Sequence, residues 1–267
     1  MPRLARLDTE LVRRGLARSR EQAAALVDSG RVEVAGRVAT KVATSVTQEV
    51  SIRVVDTGEP DYVSRGGHKL AGALDDFASD GLTVEDKQCL DAGASTGGFT
   101  DVLLRRGARS VIAVDVGYGQ LAWSLRTDER VTVLDRTNVR ALTLADIGEP
   151  VDLVVGDLSF ISLGIVLPAL AGVVGPAGEL VLMVKPQFEV GKERIPAGGV
   201  VRDPLVRAEA VRGVARSALE LGLGVRGVTA SPLPGPAGNV EYFLWLAADA
   251  PPLDDDALAT AILEGPT

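Results

Sequence analysis

The chain has 267 residues, enough for one large domain and one small one. Its hydrophobic content of 46% and charged content of 24% are typical of a globular protein that folds in water. The one cysteine, Cys89, excludes an internal disulfide framework and a cysteine-rich zinc site, so we expect a reducing compartment.

The net charge of −8 is unevenly distributed along the chain. Residues 1–60 hold ten Lys or Arg and eight Asp or Glu, a balance of +2. The remaining residues hold eighteen and twenty-eight, a balance of −10. A basic segment at the start of an acidic chain indicates a module that faces nucleic acid.

The first domain, residues 1–57, is predicted to contain two helices followed by short strands. Apolar residues at helical spacing predict helices over 6–15 and 19–30, each ending at a glycine. Alternating apolar residues over 31–39 and 44–55 predict the strands. The resulting unit is a small α+β domain.

The string RLDxxLxxxGLAxSRxxAxxLxxxGxVxVxG, from Arg6 to Gly36, resembles the S4 RNA-binding domain. Ala35 and Val42 stand where that family commonly has Asn and Pro, which affects only the fine geometry of the hairpin. In S4 domains, basic side chains contact RNA phosphates and position the protein without reading the base sequence. The resemblance implies these candidate RNA contacts: Arg3, Arg6, Arg14, Arg18, Arg20 and Lys41.

A linker follows at residues 58–63, because the run TGEPD interrupts both helical and strand patterns. The second domain, residues 64–267, begins with a helix predicted near His68. Apolar strands and helices then alternate, including a long helix from Pro204 to Leu221. The predicted strands are CLDAG, SVIAVD, VTVLD, VDLVVGD, ELVLMVK, VRGVTA and EYFLWLA. We therefore predict an α/β fold with a seven-stranded, Rossmann-like, mainly parallel sheet that binds ligands at the carboxyl ends of its strands.

The stretch from Asp91 to Thr100, DAGASTGGFT, joins the first of these strands to a helix. Gly93 and Gly97 allow a tight turn and a close approach by a ligand. Asp115 ends the next strand, 115 − 93 = 22 residues after the first glycine, where its carboxylate can accept both hydroxyls of an adenosine ribose. The spacing matches neither GxGxxG nor GxxxxGK[ST], so a nicotinamide site and a P-loop are both disfavoured.

DAGASTGGF resembles motif I of S-adenosylmethionine-dependent methyltransferases, and VIAVD resembles their motif II. The resemblance implies S-adenosylmethionine as the cofactor, with Asn138 near its adenine, and no metal is expected. The candidate cofactor residues are Asp91, Gly93, Ala94, Ser95, Thr96, Gly97, Gly98, Phe99, Asp115, Asn138 and Asp157.

Four ionisable residues at or near the strand ends, Lys69, Asp157, Lys185 and Glu241, resemble the Lys-Asp-Lys-Glu set of FtsJ-like 2′-O-methyltransferases. A ribose 2′-hydroxyl is a weak acid that loses its proton as it attacks a methyl group, and a neutral lysine can take that proton. Partial burial and a second cation both favour the neutral lysine. We assign Lys185 as the base and Lys69 as an orienting or oxyanion-stabilising cation, with the two carboxylates orienting the lysines.

The motif order, with SRGGHKL, VGYGQLAW, DLSFISL, VKPQFE and NVEYFLW, resembles the TlyA family over nearly the whole chain. That family joins an S4 domain to an FtsJ-like methyltransferase domain. The resemblance implies 2′-O-methylation of cytidine in small-subunit or large-subunit ribosomal RNA, or both, within ribosomal subunits. Members were first labelled haemolysins, so a membrane-active protein is one alternative, and a non-catalytic RNA-binding protein is another.

The uncharged run from 158 to 178 is long enough to span a bilayer. Its two prolines and four glycines favour a loop and a short helix instead. The first fifteen residues lack the apolar core of a signal peptide. We therefore expect no membrane association and a cytoplasmic location.

Overall fold

The computed structural model describes residues 4–17, 19–28, 30–55, 62–196 and 198–266. The chain divides into two units, Met1–Arg65 and Gly66–Thr267, and each is described by itself. The domain boundaries drawn from the sequence stay predictions, because residues 56–61 lie outside the described ranges.

The described part of the first unit combines helices and short antiparallel strands around an apolar core that includes Leu7, Leu11 and Leu26. Its helices are α1 (Leu7–Arg13) and α2 (Arg20–Asp28). Strand β1 (Leu4–Arg6) pairs with β4 (Ser45–Thr47), and β2 (Val32–Val34) lies between β3 (Arg37–Val38) and β5 (Ile52–Val54).

Two predictions for this unit were wrong in detail. Arg6 was assigned to the first helix but lies in a strand, because residues 4–6 pair with 45–47 and α1 begins one residue later. The strand predicted over 44–55 is interrupted by a turn at residues 48–50, so that its two halves join different sheets.

The second unit is built on a seven-stranded sheet in the order β11-β12-β10-β9-β6-β7-β8. Its strands are β6 (Gln88–Ala92), β7 (Ser110–Val114), β8 (Val131–Leu134), β9 (Val151–Gly156), β10 (Val174–Val184), β11 (Leu223–Ala230) and β12 (Tyr242–Ala248). Only β12 runs antiparallel to its neighbours. The predicted mainly parallel sheet is therefore confirmed.

The helices of this unit are α3 (Gly66–Ala78), α4 (Gly98–Arg105), α5 (Trp123–Arg126), α6 (Leu144–Ile147), α7 (Leu163–Ala171), α8 (Pro186–Glu189), α9 (Pro204–Leu219) and α10 (Asp255–Glu264). Short 3-10 turns lie at Val139–Ala141 and Lys192–Arg194. Leu90, Val154 and Leu182 are fully buried in neighbouring strands, in a core shared with α7 and α9. Burial of the sheet under helices explains why its strands are nearly continuous apolar runs.

The uncharged run from 158 to 178 contains a loop, α7 and the start of β10. The loop and short helix agree with the prediction, whereas the strand begins five residues earlier than its apolar pattern indicated. The register between β9 and β10 shifts between Val174 and Glu179, where Gly175, Pro176 and Gly178 lie. Among the described residues, no helix has both the length and the apolar character needed to cross a membrane.

Candidate functional site

The turn between β6 and α4 has backbone angles that favour glycine. Gly93 and Gly97 have φ values of +84° and +99°, which side chains rarely adopt. A Cβ on Gly93 would stand 2.9 Å from the carbonyl oxygen of Asp157, and one on Gly97 would collide with Leu121 and Leu125. The turn therefore requires glycine at both positions, for steric reasons as well as conformational ones.

A cleft of about 480 Å³ opens beside this turn, at the carboxyl ends of β6, β7 and β9. Five of the residues predicted to bind cofactor line it: Gly93, Ser95, Asp115, Asn138 and Asp157. Ala94, Gly97, Gly98 and Phe99 are buried, and Phe99 packs its ring 6.1 Å from that of Phe243. Thr96 is exposed.

Asp115 is held in place by the loops on either side of it. Its Oδ2 accepts a hydrogen bond from the backbone N–H of Ser95 at 2.8 Å, and its Oδ1 accepts one from Gly117 at 2.7 Å. A carboxylate has about four acceptor positions. Two positions therefore stay available for the hydroxyls of a ligand. Asn138 accepts from the backbone N–H of Arg140 at 3.1 Å.

Asp91 lies beneath the turn and has no exposed surface. One oxygen accepts from the hydroxyl of Thr100 at 2.7 Å, and the other has no hydrogen-bond partner among the described residues. Burial raises the pKa of Asp91 to about 7, opposed by the hydrogen bond from Thr100. This carboxyl therefore titrates near neutral pH.

Lys185 and Asp157 form an ion pair at the ends of the adjacent strands β10 and β9. The Nζ of Lys185 lies 2.5 Å from Oδ1 of Asp157 and donates to Oγ of Ser159 at 2.8 Å. The lysine is only 8% exposed. Its ammonium group is therefore held in one position beside the cleft.

Lys69 on α3 and Glu241 before β12 form a second ion pair, with 2.5 Å between Nζ and Oε2. Both side chains are buried. Because Val184 pairs with Tyr242 in the sheet, the next residue along the register, Lys185, stands beside Glu241. The four ionisable residues predicted from the sequence therefore lie on the side of the sheet where the parallel strands end. Their chemical roles stay predictions.

The basic residues of the first unit that were predicted to contact RNA differ in how exposed their side chains are. Arg6 and Arg20 are exposed and donate to Asp8, and their guanidinium groups hold its pKa well below the ordinary value. Lys41 is exposed. Arg14 is largely enclosed and donates to Glu10 and to backbone carbonyls of residues 47, 48 and 50. Arg3 and Arg18 lie outside the described residues.

Two exposed aromatic side chains, one of them at the cleft, were missed in the sequence. Phe160 lines the cleft with 90% of its side chain exposed, a backbone φ of +64°, and its ring 5.1 Å from that of Phe188. Tyr118 is also exposed, and the guanidinium of Arg136 lies 4.4 Å from its ring centre. The strings DLSFISL and VGYGQLAW contain them, but a sequence does not reveal that an aromatic ring faces solvent.

No group of three or more His, Cys, Asp or Glu within the described ranges could hold a metal ion. The expected absence of a metal stays a prediction.

A family model described as FtsJ-like methyltransferase matches residues 62–248, and one described as S4 domain matches residues 5–52. The chain is 59% identical to the 16S/23S rRNA (cytidine-2′-O)-methyltransferase TlyA of Mycobacterium tuberculosis, over 100% of each chain. It is 36% identical to Hemolysin A of Brachyspira hyodysenteriae, over 89% of this chain and 97% of that one. A solved structure of a hemolysin-named protein from Streptococcus thermophilus is 38% identical, with a TM-score of 0.76, and covers 99% of this chain and 97% of that chain.

Proposed function

The chain belongs to the TlyA family, in which an S4 domain precedes an FtsJ-like methyltransferase domain, and from this premise we propose that it methylates ribosomal RNA. The methyl group of S-adenosylmethionine passes to the 2′-hydroxyl of a cytidine in small-subunit RNA, large-subunit RNA or both. The observation that carries the proposal is the Lys185–Asp157 pair at the edge of the cleft that Asp115 lines. The reaction takes place in the cytoplasm, where this RNA is assembled into ribosomal subunits.

The residues of the cleft fit S-adenosylmethionine. Asp115 has two acceptor positions left for ribose hydroxyls, and Val116, Leu158 and Ile161 offer apolar surface to the adenine. A volume of about 480 Å³ suits a small molecule of this kind. When bound, the cofactor supplies an electrophilic methyl group attached to a sulfonium.

Lys185 is the base in this proposal and takes the proton of the 2′-hydroxyl at its Nζ. Asp157 and Ser159 fix the direction of that nitrogen, so that the hydroxyl approaches a base of defined position. Asp157, the partner of this nitrogen in the structure, stabilises the ammonium group that the proton transfer produces. Lys69, held by Glu241 one strand away, is the orienting or oxyanion-stabilising cation of this proposal.

RNA contacts follow from the exposed side chains. Arg6, Arg20 and Lys41 of the first unit face solvent and suit phosphate oxygens. The exposed ring of Phe160 at the cleft suits stacking against a cytosine that is turned out of its neighbours. In-line attack by a ribose hydroxyl requires such a displacement where the target nucleotide is stacked in a helix.

The test is to incubate the protein with ribosomal subunits and S-adenosylmethionine, digest the RNA, and identify nucleosides by mass spectrometry. We expect 2′-O-methylcytidine from the wild type and about 10²- to 10⁴-fold less from Lys185→Met, with unchanged cofactor affinity. Lys87→Met is the matched control, because Lys87 pairs with Glu179 at the opposite edge of the sheet. Methyl groups on a base, or full activity in Lys185→Met, would contradict the proposal.

The hemolysin names of two relatives favour testing one other function, the disruption of membranes. Lipid vesicles loaded with a fluorescent dye should retain it in the presence of the purified protein. Leakage at concentrations that suffice for methylation would support the second function. Calorimetry of S-adenosylmethionine binding distinguishes the other alternative, a protein that binds RNA without catalysis. Only a methyltransferase should bind this cofactor.

A further inference from the structure

The loop of residues 157–162, between β9 and α7, carries much of the proposed site. Asp157 and Ser159 contact the Nζ of Lys185, and Phe160 stands exposed at the cleft. The φ of +64° at Phe160 is unfavourable for a bulky side chain. Such a conformation persists only where the surrounding structure holds it.

The far end of this loop is bound by Glu189. One carboxylate oxygen accepts from the hydroxyl of Ser162 at 2.6 Å, and the other accepts from the backbone N–H of Leu163 at 2.8 Å. Phe188, the neighbour of Glu189, packs its ring 5.1 Å from that of Phe160. Lys185 precedes the single turn of α8 and Glu189 is its last residue, so one short segment contacts the loop at both of its ends.

Glu189 does more than cap α7. Ser162 is already the N-cap of that helix, because its hydroxyl accepts from the backbone N–H of Gly164 at 3.2 Å. The carboxylate adds a connection between the loop after β9 and the segment after β10, the two strands that carry Asp157 and Lys185.

We propose that Glu189 is a positioning residue, which fixes the loop 157–162 so that Ser159 and Phe160 keep their places beside Lys185 and the cleft. This inference rests on the proposed function, because the reaction is what requires that geometry. A carboxylate is suited to the task, since both of its partners are donors and it offers only acceptors. Glutamine would satisfy one partner and present a donor to the other.

The kinetic experiment compares Glu189→Ala and Glu189→Gln with the wild type on ribosomal subunits. We expect kcat to fall about 100-fold in Glu189→Ala and by less in Glu189→Gln, because a small displacement of reacting groups has effects of that size. The KM for S-adenosylmethionine should change less than kcat, because Glu189 itself does not line the cleft, whereas Leu158 and Ile161 of the loop do. Glu209→Gln is the matched control: this exposed glutamate pairs with Arg194, lines a second cavity together with Glu189, and should keep wild-type kinetics.

Hydrogen exchange of the protein without substrate gives a second measurement. Peptides that span 158–164 should exchange faster in Glu189→Ala, while the rest of the sheet keeps its protection. If Glu189→Ala had the kcat of the wild type, this inference alone would be overturned. It would also be overturned if Glu189→Ala lost activity while amides throughout the unit exchanged faster, because the residue would then support the fold as a whole. Absence of methyl transfer by the wild type would overturn the proposed function and this inference with it.

Discussion

Replacing Lys69 by alanine would leave Glu241 as a buried carboxylate without its cation. Lys69 is 4% exposed, Glu241 is 1% exposed, and 2.5 Å separates their charged atoms. Removing one partner of a buried ion pair costs about 3–5 kcal/mol of stability. For a unit of 267 − 65 = 202 residues, about 1 kcal/mol shifts the melting temperature by about 2–4 °C. We therefore expect Lys69→Ala to lower the melting temperature by roughly 6–20 °C.

Tryptophan fluorescence can follow this unit alone, because both tryptophans, Trp123 and Trp245, belong to it, and Trp245 is 1% exposed. The control is Lys69→Met with Glu241→Leu, which removes both charges and replaces them with apolar side chains of similar size. It should melt near the wild-type temperature yet lose methyl transfer. If Lys69→Ala melted within about 2 °C of the wild type, the reasoning that this pair is desolvated would be refuted.

Three further outcomes are expected. Asp115→Ala should weaken S-adenosylmethionine binding in calorimetry by about tenfold or more, since hydrogen bonds to a charged acceptor are lost; unchanged affinity would exclude the ribose contact. Lys41→Ala should weaken RNA binding and reduce its dependence on salt by about one unit of slope, and an unaltered slope would remove Lys41 from the interface. The pKa of Asp91 rises from 3.8 to about 7 on folding, so the contribution of this carboxyl group to stability falls as pH rises between these values. Denaturant titrations at several pH values should show this fall in the wild type and not in Asp91→Asn.

The cofactor turn could be predicted from the sequence because its requirements are local. Gly93 and Gly97 adopt backbone angles that glycine tolerates, and the strands on either side are short apolar runs. Asp115 was predicted from the same kind of local pattern, because it ends the next apolar run. Its carboxylate lines the cleft as that pattern predicted.

Long-range pairing explains where sequence reasoning was wrong or silent. Residues 4–6 form a strand because they meet residues 45–47, a contact that no helical period near Arg6 reveals. The exposure of Phe160 depends on a loop that the segment 185–189 holds in place, and the residue type alone does not distinguish this phenylalanine from a buried one. The guanidinium of Arg14 donates to backbone carbonyls of residues 48 and 50, more than thirty residues further along the chain, which the helical pattern around Arg14 does not indicate.

The sequence by itself determined the family, the glycine turn and the alternation of strands and helices, because each depends on residue type and short spacing. It also predicted the four ionisable residues of the candidate site. Only the tertiary structure decided which lysine pairs with which carboxylate. Strand order brings β9 beside β10, and so Lys185 meets Asp157, while α3 carries Lys69 to Glu241 across 172 residues of chain. Such partners are chosen by the packing of whole elements, and packing depends on contacts between distant residues that no local pattern contains.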